Sequence, residues 1–363
     1  RYRLDASRYT DQMLYPRHDP ASYAGLTMYD DGSHGDGAAG DGVFGALIPA
    51  QADGQIVEFY VEVRDAQGNV RTWPAPNLVD GAVEQVTNAL YQVLGSFDSK
   101  APWSAGSQPI YFLIMTEAER ARLVDIGNGT GGPGPENDRD SNAQMNGTFI
   151  SVDGTGVELR YRVGIRNRGK GSRDTAGGRY RNNYRVNFPT DARWNDVTAI
   201  NIKNRFGHVA VLGSAVWRMA NLPAERITPI QVRVNGANLA LADSTMFGSY
   251  ALVEVIDDEF VARHFPSDRE GNAYRCANDV ADLGFKGLDP NAYRAGYEKQ
   301  TNTAANDYSD LIQLTYVLNN TPSDKLVEEV RKVIHLEQWL RFLAVDALCG
   351  NREGGLTTPR GDD

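Results

Sequence analysis

The sequence predicts an α+β chain in which a small all-β sandwich precedes a β-rich lobe and then a helical lobe. Three observations point there. Period-two alternation recurs in Ile56–Val63, Leu159–Ile165 and Ile230–Val234, the pattern of half-buried strands. Helical spacing occurs in Phe206–Met219 and again from Thr321 to Leu348. Thirty-seven glycines, many in Asp-Gly and Asn-Gly pairs, mark abundant turns. The 363 residues are 41% hydrophobic, enough to bury real cores. That length suits about two or three domains. The predicted boundaries are a sandwich over 1–78, a linker over 79–106 and the main domain over 107–363.

The elements follow in order. Ala46–Ile48 and Ile56–Val63 read as strands separated by the turn Ala52-Asp53-Gly54, and Trp73-Pro74-Ala75-Pro76 closes the sandwich. Ahead of them, Asp-Gly recurs every five residues at Asp31, Asp36 and Asp41. Two readings of this loop stand: Ca²⁺ held by Asp30, Asp31, Asp36 and Asp41, or a turn-rich loop without metal. Its spacing is not that of an EF-hand. Pro109–Thr116 (PIYFLIMT) is a buried strand, and Thr116 with Glu119 forms a capping box for the next helix, Glu117–Val124. Ile230–Val234, an Asn235-Gly236 turn and Gly248–Ile256 make a strand pair. Thr321-Pro322 opens a helix with Leu326, Val327, Val330 and Ile334 on one face. Leu336–Leu348 is a second helix that buries Trp339, Leu340, Leu343 and Ala347 and stops at Gly350, and His335 reads as a partly buried or capping histidine rather than a base. A β-rich lobe followed by a helical lobe is the two-lobed, protein-kinase-like layout.

Arg160–Arg185 holds nine basic residues opposed only by Asp174, in a chain whose formal charge is −10. Leu159, Tyr161, Val163 and Ile165 alternate on one face before a glycine-rich loop; Tyr184, Val186 and Phe188 alternate after it. Such a hairpin brings bare backbone N–H groups and guanidinium forks close to phosphate oxygens. It is not a P-loop, because Gly171 breaks the Gly-Lys-Ser order, and no helix follows. A loop between antiparallel strands fits the arrangement that covers ATP phosphates in protein kinases. A solvated basic hairpin is the alternative. Nucleic-acid binding is disfavoured by the acidic remainder of the chain.

Other classes are excluded or left open. Cys276 and Cys349 are too few and too separated for a metal cluster, and pairing is undecided. No segment is apolar enough for a membrane span. Acidic balance, richness in Gly, Asp and Asn and little lysine favour an extracytoplasmic bacterial protein, secreted or at the cell surface. The ends, Arg1 without a methionine and Gly361-Asp362-Asp363, read as an internal piece of a longer protein.

Several runs together, IRNRGKGSR, NNYRVNF, VRVNG…GSYALVEVIDDEF and QWLRFLAVDALCGNREGG…GDD, resemble the CotH (spore coat protein H) family of atypical protein kinases. The likeness spans Pro109 to Asp363, and the preceding sandwich with DDGSHGDGAAGDGVFGA resembles the Ig-like domain of secreted multidomain members. The resemblance implies ATP-dependent phosphorylation of Ser or Thr in protein substrates, with Mg²⁺ or Mn²⁺. Arg166, Arg168, Gly169 and Ser172 match the family's phosphate loop, in which Lys170, Gly171 and Arg173 also stand. Asn182-Asn183 occupy the place of a family lysine, so Arg181 or Arg185 would supply that cation. Glu254 falls in the run that joins the lobes. Gly350-Asn351-Arg352-Glu353 matches the family's Gly-Asn-x-Asp with glutamate for aspartate, making Glu353 the catalytic carboxylate and Asn351 a metal ligand. Asp362 and Asp363 stand where the family has a metal-holding asparagine, and a further metal aspartate would lie downstream. The Asp-to-Glu change and the missing lysine equally suit a pseudokinase or a cell-surface binding module.

Overall fold

The computed structural model describes residues 1–7, 20–79, 81–95, 104–128, 141–169, 183–204, 206–239, 249–276 and 281–350. The chain forms two compact units, one of residues 1–207 with 229–252, the other of 208–228 with 253 onward.

The first unit begins with short strands. β1 (Tyr2–Leu4), β2 (Ile56–Phe59) and β7 (Ala89–Gln92) make one antiparallel sheet in the order β1-β2-β7. β3 (Val61–Arg64) pairs with β4 (Val70–Trp73), and β5 (Asn77–Val79) with β6 (Ala82–Glu84), as separate hairpins. The run Ile56–Val63 therefore breaks at Tyr60, and Ala46–Ile48 is not a strand. The segment is all-β, as expected.

The expected two-lobed α+β kinase-like fold is not what the next region forms. Seven strands close into a barrel instead: β8 (Ile110–Ile114), β9 (Met145–Asp153), β10 (Gly156–Arg168), β11 (Asn183–Asn187), β12 (Ala199–Lys203), β13 (Ile227–Val234) and β14 (Ser249–Val253). Their order is β10-β11-β12-β14-β13-β8-β9, and β9 pairs back with β10. Closure includes a parallel pair, β13 with β8, in which Val232 lies beside Tyr111 and Val234 beside Leu113. The strands that read as a segment between lobes are staves of the barrel. Alternation alone gives each strand an apolar face; it does not say that distant strands share the same interior.

The barrel interior is aromatic and branched. Tyr111, Phe149, Phe188 and Trp194 meet edge-on or stacked, with Phe149 and Trp194 centroids 5.4 Å apart. The Trp194 indole donates to Ser151 Oγ at 2.9 Å, satisfying its one polar atom. Around them pack Leu113, Met145, Val163, Ile165, Val186, Ile200, Ile202 and Val232. The run PIYFLIMT is continuously apolar because β8 is covered on both faces. Tyr111 and Leu113 point into the barrel, while Phe112 and Ile114 pack with Ile56 and Leu90 of the N-terminal sheet.

Helix α1 (Glu117–Asn128) carries Leu123 and Ile126 into the barrel core. The capping box forms: Glu119 N donates to Thr116 Oγ1 at 3.3 Å and Thr116 Oγ1 to Glu119 Oε2 at 3.0 Å. The N-terminal segment completes the cap. Asp5 Oδ2 accepts from Glu117 N at 2.8 Å and Ser7 Oγ from Ala118 N at 3.0 Å.

The second unit is mostly helical: α2 (Gly207–Met219), α3 (Asp258–His264), α4 (Ser309–Asn320), α5 (Leu326–Val330) and α6 (Leu336–Cys349), with a hairpin of β15 (Tyr274–Cys276) and β16 (Tyr297–Lys299). Helix α4, which the sequence did not lead us to expect, begins two residues after Asp307, whose Oδ1 accepts from Ser309 N at 2.9 Å. Thr321 ends α4 rather than opening α5, which spans one turn. In α6, His335 caps the start by accepting from Gln338 N at 3.1 Å, and Gly350 ends it at φ 62°. Its buried residues are Val345 and Asp346, whereas Trp339 and Leu340 are exposed. Tyr293, Tyr297, Tyr308 and Leu311 form a separate small core. Cys276 and Cys349 are both free. Among the described residues no helix is long and apolar enough to cross a membrane.

Candidate functional site

The basic strand β10 does not keep one face throughout. Between Arg160 and Val163 the register with β9 shifts, and Arg162 adopts φ 58°, the left-handed region that a bulge imposes. The bulge reverses the facing of the alternation. Val163 and Ile165 point into the barrel, but Tyr161 lies against Phe59 and Trp73 at 5.6 and 5.9 Å. Leu159, Tyr161, Val163 and Ile165 therefore do not share a face. Arg160 is held by Glu158 at 2.9 Å and by the Arg193 carbonyl at 2.8 Å.

Beyond the bulge the faces are clean. With Ile165 inward on β10, Tyr184 and Val186 inward on β11, and Ile200 and Ile202 inward on β12, the residues between them point outward. Register places Arg166 directly opposite Arg185, Arg185 opposite Asn201, and Arg168 opposite Asn183. Lys203 lies one step past the Tyr184–Ile202 pair, next to Asn183. The outer face of three adjacent strands thus carries Arg166, Arg168, Arg185 and Lys203 with two asparagines between them.

Local bonds fix this surface. Arg166 Nη1 donates to Asn142 Oδ1 at 2.8 Å, and Arg185 Nε to Asn187 Oδ1 at 2.9 Å. Asn187 Nδ2 in turn donates to Gln144 Oε1 at 3.2 Å. Asn183 Oδ1 accepts from Asn204 N at 2.8 Å, which anchors the chain just after Lys203. Like charges directly across a ladder repel by roughly 0.2–1 kcal/mol. A shared anion removes that repulsion and takes charge-assisted hydrogen bonds from both guanidiniums. Gly169, at φ 82°, turns the chain out of β10 in a conformation that L side chains rarely adopt.

Of the residues assigned from sequence, Arg166, Arg168, Gly169 and Arg185 are brought together here. Lys170, Gly171, Ser172, Arg173 and Arg181 lie outside the described residues, as do Asn351, Glu353, Asp362 and Asp363. Glu254 belongs to the second unit, where its buried carboxylate accepts from Arg226 N at 2.9 Å and pairs with Arg263 and His264. Burial, and then the charges of Arg226 and Arg263, hold the His264 pKa below its ordinary value. Lys203 and Asn201 were missed, although AINIK signals them. Two isoleucines at alternate positions send the residues between and after them to the other face.

The Asp-Gly loop is organised by its own amides. Asp36 is buried and accepts from Gly32 N and His34 N at 2.7 and 2.8 Å, and also from Asp31 N. Burial opposes ionisation, yet these donors hold its carboxyl down at about 2. Asp30 accepts from Gly40 and Gly42 N, Asp41 from Ala38 and Val43 N, and Asp31 from Ser33 N and the His34 ring. Among the described residues no group of three or more His, Cys, Asp or Glu side chains converges where it could hold a metal ion. Backbone amides donate to the carboxylates of all four aspartates, Asp30, Asp31, Asp36 and Asp41.

Comparison with known families agrees with the motifs. Residues 165–355, more than half the chain, match the CotH kinase protein family, and 19–73 match the second Ig-like domain of conditioned medium factor. No curated protein matches the chain. The family match, rather than the barrel fold, defines a kinase-like protein with an Ig-like segment ahead of it. The chain belongs to the CotH kinase family.

Proposed function

We propose that the protein is an ATP-dependent phosphotransferase acting on Ser or Thr hydroxyls of protein substrates, with the nucleotide's phosphates seated on the outer face of β10–β12. The carrying observation is the cross-strand pair Arg166–Arg185, flanked by Arg168 and Lys203, at the point where Gly169 starts the glycine-rich loop. Lys203 supplies a lysine ammonium to a site whose family lysine is replaced by asparagine. A lysine's carbon stem can lie along the strand surface while its ammonium meets phosphate.

Glu353 would take the substrate hydroxyl's proton, and Asn351, Asp362 and Asp363 would hold Mg²⁺ or Mn²⁺. A divalent ion bound there supplies neutralisation of the charge that builds on the transferred phosphoryl group. Arg166, Arg185 and Lys203 orient the phosphate chain and offset its charge, whichever ion is present.

The test is phosphate transfer from labelled ATP to a Ser- and Thr-rich protein, with Mg²⁺ or Mn²⁺, comparing wild type with Glu353→Gln and Arg185→Ala. Transfer lost in Glu353→Gln and at least tenfold weaker at fixed ATP in Arg185→Ala supports the reading. Transfer unaffected by either change sinks it. The glutamate at 353 favours a second reading, a nucleotide-binding pseudokinase. Its extra methylene moves the carboxylate by about one bond length, and rate falls steeply with such displacement. ATP binding without transfer, even in Glu353→Asp, would establish that version.

A further inference from the structure

Asn201 is the unexplained member of the outward row. It is 5% exposed, and its Oδ1 is buried without a hydrogen-bond donor. Its Nδ2 likewise meets no acceptor among the described residues, though only Oδ1 is fully buried. The asparagine one row away behaves differently, since Asn183 Oδ1 accepts from Asn204 N at 2.8 Å. A buried amide left without partners is destabilising, and native structures keep few of them. Here it stands next to Arg185 in the ladder, with Arg166 one strand further. Adjacent strands are spaced by about 4.8 Å, so Asn201 to Arg166 covers roughly the reach from a nucleobase to its phosphate chain.

We infer that Asn201 selects the base of the bound nucleotide, pairing with the N6 amino group and N7 of adenine. The inference rests on the phosphate-seat reading above. A side-chain amide matches that edge in both directions: Oδ1 accepts from the amino group while Nδ2 donates to N7. Guanine offers two acceptors there, N7 and O6, so Oδ1 would face a carbonyl oxygen. The ligand lies across the strands, its base over β12 and its phosphates over β11 and β10. Arg185, opposite the amide in the ladder, faces the phosphates in this arrangement.

The test is titration calorimetry on the whole chain with ATP, GTP and inorganic tripolyphosphate, for wild type, Asn201→Ala and Asn201→Asp. The expected result is about a 10- to 100-fold preference of wild type for ATP over GTP. Asn201→Ala should bind both nucleotides equally with tripolyphosphate affinity unchanged. Asn201→Asp, which keeps the acceptor and loses the donor, should fall between. The ratio of affinities within one preparation is insensitive to a general loss of stability. Tripolyphosphate binding with equal ATP and GTP affinities in wild type, or an ATP preference that persists in Asn201→Ala, overturns the role of Asn201 while leaving the phosphate seat standing. No binding of tripolyphosphate or either nucleotide by wild type removes the phosphate seat as well.

Discussion

Replacing Glu119 with glutamine should remove a large pH dependence of stability. Glu119 is partly buried where α1 meets β9, and it accepts from Asn146 N at 3.0 Å and from Thr116. Burial, together with the Glu58 charge, outweighs those donors and pushes its carboxyl from 4.5 up to about 7. The folded chain therefore holds this proton more tightly than the unfolded one. The neutral carboxyl's contribution is complete below about pH 4.5 and is lost as pH rises through about 7. At about 1.4 kcal/mol per pH unit, wild type gives up about 3 kcal/mol across that window. Glutamine keeps the size, still serves a capping box and cannot ionise. The assay is urea unfolding from pH 4.5 to 8, followed by tryptophan fluorescence, since Trp194 sits in the barrel core. Subtracting wild type from Glu119→Gln cancels the titrating groups that are not coupled to Glu119. The difference should be near zero at the acid end and favour the variant by up to about 3 kcal/mol at the alkaline end. A difference independent of pH, or one that moves toward wild type as pH rises, would refute the assignment.

Other consequences follow from single contacts. Gly147→Ala should destabilise the barrel by about 1–3 kcal/mol in the same assay, because a Cβ there would meet Ile165 Cδ1 at 2.4 Å and the Ile114 carbonyl at 2.9 Å. Lys203→Ala should weaken ATP about tenfold with less effect on adenosine; equal loss for both would mean that the strand has been damaged. Asp36→Asn should speed hydrogen exchange at Gly32 and His34 near neutral pH. Wild type should show the same loss as pH falls through about 2, since the depressed carboxyl stabilises the loop only while ionised.

The strands and most helices were legible because each carries its own local signal. PIYFLIMT, the Thr116–Glu119 box, the Asn235-Gly236 turn and the Gly350 stop all form as read. What the sequence hides is partnership between distant segments. Nothing in Ile230–Val234 says that it runs parallel to Ile110–Ile114, and that pair is part of the barrel's closure. The Arg162 bulge is similarly silent: arginine is no signal for positive φ, yet it reverses which of Leu159, Tyr161, Val163 and Ile165 face the core. At the candidate site, arginines and glycines announced themselves by composition. Lys203 and Asn201 became visible only when register placed them beside Asn183 and Arg185. Trp339 and Leu340 fit a buried helical stripe by spacing alone, but α6 turns them outward.

Hydrogen exchange with and without ATP and Mg²⁺ tests the phosphate seat most directly. Protection should arise in β10–β12, strongest at 183–187 and 199–203, and vanish in the Arg166→Ala, Arg185→Ala double variant. Saturating ATP that leaves these strands unchanged while protecting other parts of the chain would contradict it.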